Sequence, residues 1–228
     1  LVTDTTSAGL VVELFSGLVS LNSSLEIVPE LAESWDISDD GKVYTFKLRD
    51  GILFSDGSSI TSHDFKWSFE RAAHPDTESP VASIYLEDIV GSMEVIDGDG
   101  SITDISGVKI IDDFTLQITI DAPKAYFLAK LTYPTAYVLK KNNVEQSGDD
   151  WTDSPIGTGP FVLSEYRIGE VLVIRRNDYY WGEKAKLDGV EYNLAGGQAM
   201  SMYENDEIDI TGVGLADLER VKDVNDPL

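Results

Sequence analysis

The chain contains 228 residues, and its 41 acidic residues outnumber its 17 lysines and arginines to give a formal net charge of -24. Such an acidic surface repels phosphate backbones and anionic lipid headgroups, which disfavours nucleic-acid binding and attachment to a membrane surface. The acidity indicates either a solubility surface on an exported protein or a salt-rich habitat, where salt screens the repulsion between carboxylates. The sequence has no cysteine, so disulfides, thiolate metal sites and a cysteine nucleophile are excluded.

The first predicted element is a short apolar helix within residues 10–21, ending near Gly17. Apolar and polar residues then alternate over residues 44–48, which is the period of a half-buried strand. The turn Asp39-Asp40-Gly41 comes just before this strand and predicts a hairpin with residues 34–37.

A capped helix is predicted after the hairpin. Thr61, followed three residues later by Asp64, resembles a capping box with aspartate in place of glutamate. Phe65, Phe69 and Ala72 follow at helical spacing and would share one face. Hairpin and helix together predict a compact α+β unit.

The rest of the chain alternates between short predicted strands and helices. Residues 108–120 predict a hairpin that turns at Asp112-Asp113. We expect further helices within 81–89, 125–131, 199–203 and 215–221, and further strands at 161–166, 171–175, 187–194 and 207–210. We also expect an extended segment at 133–138, and a crossing between domains in the polar segment 140–151.

The residues that carry catalysis in most enzymes do not form a site in this sequence. Of the two histidines, His63 and His74, neither has a second histidine at metal-ligand spacing. No G-x-S-x-G nucleophile motif and no P-loop occur. We therefore predict that the protein is not an enzyme and carries neither metal nor cofactor.

Residues 95–104 match part of an EF-hand calcium loop. The match places Asp97 and Asp99 at ligand positions, but the first and twelfth positions, which need an oxygen ligand and a bidentate glutamate, hold Val95 and Ser106. A surface hairpin turn is the better interpretation of this segment.

The segment Gly157-Thr158-Gly159 invites comparison with a dinucleotide-binding loop. The third glycine of that motif would fall on Val162, and Pro160 lacks an N–H group where the phosphate cradle requires one. The glycines are better explained by a tight backbone crossing between domains.

Several runs together resemble the oligopeptide- and dipeptide-binding proteins of bacterial ABC importers, the extracellular solute-binding proteins of family 5. Within residues 31–71 these runs are L-A-E-S-W, S-D-D-G, Y-T-F-K-L-R-D-G, F-S-D-G and F-E-R. The run P-I-G-T-G-P-F follows at 155–161, and Arg176-Asn177 precedes Tyr180-Trp181 as in that family. Two positions depart from the family pattern: Val81, where peptide-binding members can carry a tyrosine, and Asp206, where they carry glycine.

The resemblance implies a mixed α/β (α+β) fold like the first lobe of a periplasmic binding protein, with an extra α+β domain and without the second lobe. Residues 1–20 and 141–228 would form the discontinuous first lobe, and residues 21–140 the inserted scaffold domain. Because family members are roughly twice as long, the chain would hold about half a ligand cleft and bind peptides weakly or not at all by itself.

The resemblance also implies a function. The protein would be the substrate-binding component of an ABC importer, capturing oligopeptides or dipeptides between two lobes and delivering them to permease subunits in the membrane. It would act as a monomer in the periplasm or outside the cell, with lipid anchoring to the outer face of the cytoplasmic membrane as one arrangement. Two alternatives stay open: a family member with non-peptide cargo, such as a nickel chelate, heme or oligosaccharide, and an acidic cell-surface module with no transport role.

The ligand-binding residues that the resemblance implies lie near the two ends of the chain. One group is a loop that faces the cleft: Thr3, Asp4, Thr5 and Thr6. The other group lies opposite, after the predicted strand 207–210: Thr211, Gly212, Val213 and Gly214.

Overall fold

The computed structural model describes residues 5–222, and the side chains of all of these except 5–8 and 149. In chain order the α-helices are α1 (Thr5–Leu14), α2 (Ser62–Ala73), α3 (Ala82–Leu86), α4 (Ser92–Ile96), α5 (Phe127–Lys130), α6 (Lys141–Ser147), α7 (Ala199–Glu204) and α8 (Leu218–Val221). The strands are β1 (Val19–Leu21), β2 (Ile27–Pro29), β3 (Ala32–Ile37), β4 (Val43–Leu48), β5 (Val108–Asp112), β6 (Thr115–Thr119), β7 (Phe161–Arg167), β8 (Val171–Arg176) and β9 (Gly189–Asn193). None of the helices in the described part of the chain is long and apolar enough to cross a membrane.

A four-stranded antiparallel sheet in the order β3-β4-β6-β5 contains both hairpins predicted from the sequence. In β4 the side chains of Tyr44, Phe46 and Leu48 are buried and alternate with more exposed polar ones, as the period of two predicts. Phe46 pairs with Trp35 on one side and with Leu116 on the other, which places its side chain at the centre of the sheet.

Helix α2 begins with the predicted capping box. The carboxylate of Asp64 accepts hydrogen bonds from the main-chain N–H (2.8 Å) and the hydroxyl (2.9 Å) of Thr61. A cap of this kind stabilises a helix by about 1 kcal/mol. The apolar face of α2 places Phe65 and Phe69 in the larger of the two hydrophobic cores formed by the described residues. This core lies mainly between the helix and the four-stranded sheet.

A second, smaller core lies against the three-stranded antiparallel sheet β7-β8-β9. Residues 171–174 of the central strand β8 are all buried, so both faces of this strand are covered. Leu14 and Phe15, at the end of α1 and just after it, pack against Phe161, Leu172 and Ile174 to form this core. The predicted mixed α/β class is therefore confirmed, while the division into 1–20 with 141–228 and 21–140 stays a prediction.

The helix predicted within residues 10–21 is only partly correct, because α1 ends at Leu14 and residues 19–21 form β1 instead. The main chain leaves the helical pattern to bond other segments. Ser16 donates its N–H to the hydroxyl of Thr158, at 2.7 Å, and accepts a hydrogen bond from the N–H of Val138 at 3.1 Å. Partners distant in sequence thus decide where the helix ends.

The strand predicted at 207–210 is wrong. Its apolar and polar residues do alternate, but a strand needs a neighbour for its main-chain groups, and within residues 5–222 no strand pairs with it. The side chain of Ile210 is consequently 86% exposed.

Three further segments differ from expectation. The segment expected to be extended contains a 3-10 helix at Pro134–Ala136, where proline occupies the first position that tolerates it. The polar crossing segment forms α6 and the 3-10 helix Gly148–Asp153. The surface hairpin turn expected at 95–104 is instead the end of α4 followed by an irregular loop.

Candidate ligand-binding surface

The end of α1 is held in a tight backbone junction with Gly157, Thr158 and Gly159. The N–H groups of Thr158 and Gly159 both donate to the carbonyl oxygen of Leu14, each at 2.9 Å. A Cβ atom on Gly157 would lie 2.0 Å from the Leu14 oxygen, and one on Gly159 would lie 2.3 Å from the Glu13 oxygen. The close backbone approach predicted for these glycines is therefore present.

Asn177 completes this junction. Its side chain, in a residue only 2% exposed, donates to the carbonyl oxygen of Gly159 at 2.8 Å, and its main-chain N–H donates to that of Pro160 at 2.9 Å. Its side-chain oxygen accepts from the N–H of Tyr179. The sequence alone predicts no role for Asn177, although the run Arg176-Asn177 with Tyr180-Trp181 is part of the family resemblance.

Trp181 extends from the same segment onto the larger core. Its partly buried ring packs against that core, and the guanidinium carbon of Arg49 lies 4.2 Å from the ring centroid. Arg49 also donates through Nε to the main-chain oxygen of Glu30 at 2.6 Å. The indole thus attaches the segment that follows β8 to the larger core beside the junction.

A cavity of about 290 Å³ opens next to the junction, between the end of α1, strand β1 and residues 132–137. Phe15, Gly17 and Tyr137 contribute apolar wall, and Ser20 and Glu30 contribute polar wall. This cavity has both kinds of wall.

Two carboxylates, of Glu30 and Glu13, act on the buried phenols of this region. Burial raises the pKa of the Tyr137 phenol to about 12, and the nearby charge of Glu30 adds to the effect. Burial, Glu30 and Glu13 likewise raise the pKa of Tyr180 to about 12, against a smaller opposing effect of Arg49. The carboxylates therefore disfavour a further negative charge here.

The predicted ligand-binding residues are only partly within the described structure. Thr3 and Asp4 lie outside the described residues. Thr5 and Thr6 are the first two residues of α1, so the loop predicted for them is wrong at these two positions. 

The second predicted group lies in an irregular segment between α7 and α8. Thr211 is half-buried, and Gly212, Val213 and Gly214 are exposed. The hydrogen bonds of this segment are local: the Thr211 hydroxyl donates to the Gly212 oxygen at 3.3 Å, and the Gly214 oxygen accepts from the N–H of Asp217 at 3.1 Å. Within residues 5–222 no three acidic or histidine side chains are grouped to hold a metal ion.

Comparison with known proteins decides the family. The family model for bacterial extracellular solute-binding proteins, family 5 (middle region), matches residues 26–227. The chain belongs to family 5. The resemblance found in the sequence motifs is thereby confirmed.

Similar proteins include two that are named for the ligands they bind. The periplasmic oligopeptide-binding protein OppA of Escherichia coli is 36% identical over 87% of the chain, and the probable deoxycholate-binding periplasmic protein YgiS of the same organism is 33% identical over 93%. A solved structure of Listeria monocytogenes OppA bound to peptide superposes with a TM-score of 0.90 at 26% identity, covering 99% of the chain.

The chain spans less than half the length of these family 5 relatives. It covers 37% of the E. coli OppA chain, 41% of YgiS and 45% of the Listeria OppA chain. Whatever the complete relatives do therefore involves a longer polypeptide than the one described here.

Proposed function

We propose that this chain is part of the substrate-binding component of an ABC importer, which captures oligopeptides or dipeptides between two lobes and delivers them to permease subunits. The observation that carries the proposal is family 5 membership, together with similarity to the oligopeptide-binding protein OppA. The relatives are binding proteins rather than enzymes, and the proposed protein likewise binds its cargo without changing it.

The main chain of residues 211–214 supports a peptide ligand. Within the described part of the chain, the N–H groups of these four residues donate no hydrogen bond. Free main-chain groups on a largely exposed segment without regular structure can pair with the main chain of a peptide, which gives affinity with little dependence on side chains. Thr211, Gly212, Val213 and Gly214 form one side of the proposed site, and Thr3, Asp4, Thr5 and Thr6 form the other.

Calorimetric titration of the full-length protein with short peptides tests this proposal. We expect saturable binding, with cationic or zwitterionic peptides preferred over anionic ones because the net charge of the chain is -24. The 228-residue chain alone should bind the same peptides much more weakly, because it spans only 37% of the length of the E. coli OppA chain. Equally tight binding by this chain would contradict the two-lobe site.

A matched pair of proline substitutions locates the site. Val213→Pro removes an N–H group in the proposed site. Leu187→Pro removes an N–H group in another exposed irregular segment, and neither of these two N–H groups donates a main-chain hydrogen bond among the described residues. We expect Val213→Pro to weaken peptide binding about tenfold and Leu187→Pro to leave it unchanged. Equal effects of the two substitutions would argue against a site at residues 211–214.

A non-peptide cargo is the second candidate, favoured by the 33% identity to the probable deoxycholate-binding protein YgiS. Titration of the same full-length protein with deoxycholate separates the candidates. Saturable heat with deoxycholate and none with peptides would select the second one.

The proposed protein acts as a monomer in the periplasm or outside the cell, with a lipid anchor as one way of staying at the membrane. Light scattering of the purified full-length protein, with and without peptide, tests the monomeric state. Co-purification with the permease subunits in detergent tests the transport role.

A further inference from the structure

The cavity beside the glycine junction contains a carboxylate that has no cationic partner. Glu30 accepts a hydrogen bond from the hydroxyl of Ser20 at 2.8 Å. Among the described residues, none forms an ion pair with its carboxylate. An unpaired charge in a half-buried position is a natural counter-ion for a bound cation.

The neighbouring cation is engaged elsewhere. Arg49 donates to the main-chain oxygen of Glu30, not to its carboxylate, and its guanidinium lies over the ring of Trp181. Because the guanidinium makes these two contacts instead, the Glu30 carboxylate remains available to a ligand in the cavity.

Part of the remaining wall is apolar. Val12, Phe15 and Tyr137 line the cavity, together with the polar residues Ser16 and Thr132. The Tyr137 hydroxyl donates to the main-chain oxygen of Thr132 at 3.1 Å, which uses its one proton and leaves the aromatic ring as wall. Aromatic rings attract ammonium groups that approach their faces.

We propose that this cavity binds a primary alkylammonium group, with the Glu30 carboxylate neutralising the charge and with Phe15 and Tyr137 covering the alkyl chain. The volume of about 290 Å³ accommodates a chain of about four carbons, which is the length of a lysine side chain. A divalent metal would need several oxygen ligands, and an anion would meet the carboxylate, so the lining favours an organic cation. The site lies beside the glycine junction and does not depend on the proposed peptide binding.

The direct test is an amide NMR titration of the 228-residue chain with n-butylammonium chloride, compared with n-butanol. We expect saturable shifts at Ser20, Glu30 and Tyr137 with n-butylammonium, and at least fivefold weaker binding of n-butanol. The absence of saturable shifts at these residues, or equal binding of the uncharged alcohol, would overturn the proposal.

A matched pair of substitutions isolates the carboxylate. Glu30 and Glu26 flank the same strand, β2, and each accepts a side-chain hydrogen bond, from Ser20 and Asn22 respectively, but Glu26 does not line the cavity. Glu30→Gln keeps the shape and the bond and should weaken n-butylammonium binding about fivefold. Glu26→Gln should not change n-butylammonium binding. An equal effect of the two substitutions would show that binding depends on the general acidity of the surface and not on Glu30, which would overturn the proposal.

The source of the ammonium group can be distinguished in the same assay. N-acetyl-lysine methylamide presents the side chain as a peptide does, whereas n-butylammonium represents a free small amine. Binding of both at Glu30 indicates that a lysine side chain can enter. Binding of n-butylammonium alone indicates a site for free amines, and binding of neither overturns the proposal.

Discussion

The guanidinium of Arg49 lies 4.2 Å from the centroid of the Trp181 ring, and this contact joins two parts of the chain that have separate hydrophobic cores. Arg49 follows a strand of the four-stranded sheet, while Trp181 follows the central strand of the three-stranded sheet. A stacked guanidinium and indole resist sliding more than aliphatic side chains do, because the interaction depends on the face of the ring. The contact therefore contributes to holding the two parts together.

Trp181→Ala should lower the free energy of unfolding by about 3 kcal/mol, because it removes a large partly buried ring and the partner of Arg49. Trp181→Phe should cost less, since it retains an aromatic face and removes an indole N–H that is buried without an acceptor among the described residues. Urea unfolding measures both values. Tyr179→Ala, at a side chain 49% exposed in the same segment, is the control and should change stability by less than about 1 kcal/mol.

Alanine at the glycine junction should be strongly destabilising. A Cβ on Gly157 or Gly159 would fall 2.0 or 2.3 Å from a main-chain oxygen, so the backbone would have to move. We expect each substitution to cost more than about 3 kcal/mol, measured by thermal unfolding. Gly9→Ala should instead stabilise by up to about 1 kcal/mol, because Gly9 lies inside α1 with open space around it. A small loss of stability in Gly157→Ala would contradict this prediction and show that the backbone of the junction can move at little cost.

Among the charged groups around the larger core, the buried carboxylate of Asp88 should cause the greatest loss of stability when it is substituted. It is 1% exposed and forms ion pairs with Lys124 and, at 2.7 Å, with Lys130. Asp88→Asn should cost about 3 kcal/mol, since two ammonium groups lose their buried partner. Asp121→Asn removes an exposed carboxylate that also pairs with Lys124, and it should cost less than about 1 kcal/mol. Similar losses in the two variants would mean that Asp88 is effectively solvated.

The same network predicts a loss of stability in alkaline solution. Hydrogen bonds with Asp121 and Asp88 raise the pKa of Lys124 above its ordinary value of 10.5. Burial lowers the pKa of Lys130, but hydrogen bonds with Asp88 and Glu87 outweigh it and leave the pKa raised. Groups whose pKa is raised by folding stabilise the folded state fully below the unfolded pKa and lose that contribution as pH rises through the folded one. Stability should therefore fall above pH 10.5, and this fall should be smaller in Asp88→Asn, as urea unfolding at a series of pH values will reveal.

The phenols of Tyr137 and Tyr180 should ionise at a higher pH than an ordinary tyrosine. Burial, reinforced by Glu30, raises both pKa values to about 12 from the ordinary 10.0. Phenolate absorbance recorded after rapid jumps to a series of pH values should therefore include a titration step near pH 12. Tyr137→Phe should reduce the amplitude of this step. Glu30→Gln should move that step to lower pH, and an unchanged titration would place the Glu30 charge away from the phenols.

The local patterns of the sequence predicted much of the fold, because the elements concerned are fixed by neighbouring residues. The hairpins at β3-β4 and β5-β6 and the capping box of Thr61 and Asp64 depend on alternation, turn residues and a three-residue spacing, and the structure contains all of them. The end of α1 and the lack of a strand at 207–210 depend instead on partners distant in sequence, which periodicity does not reveal.

The candidate site was less predictable for the same reason. The close approach at the junction glycines could be predicted because Val162 and Pro160 exclude a dinucleotide-binding loop there. Asn177 and the Arg49–Trp181 contact acquire their roles only when separate segments meet. The cavity with Glu30 has no sequence signature, since its walls come from α1, β1 and residues 132–137. The predicted ligand-binding residues Thr211, Gly212, Val213 and Gly214 stay a prediction.

The hydrogen bond between the Ser16 N–H and the Thr158 hydroxyl joins residues 142 positions apart. Closing so long a loop in an unfolded chain carries a large entropic cost, and this cost arises before the new contact can stabilise the structure. If residues between these positions fold first, their compact structure brings the two ends together and most of that cost is already met. We therefore expect the four-stranded sheet and α2 to form early, and the glycine junction to close late, during folding of the chain.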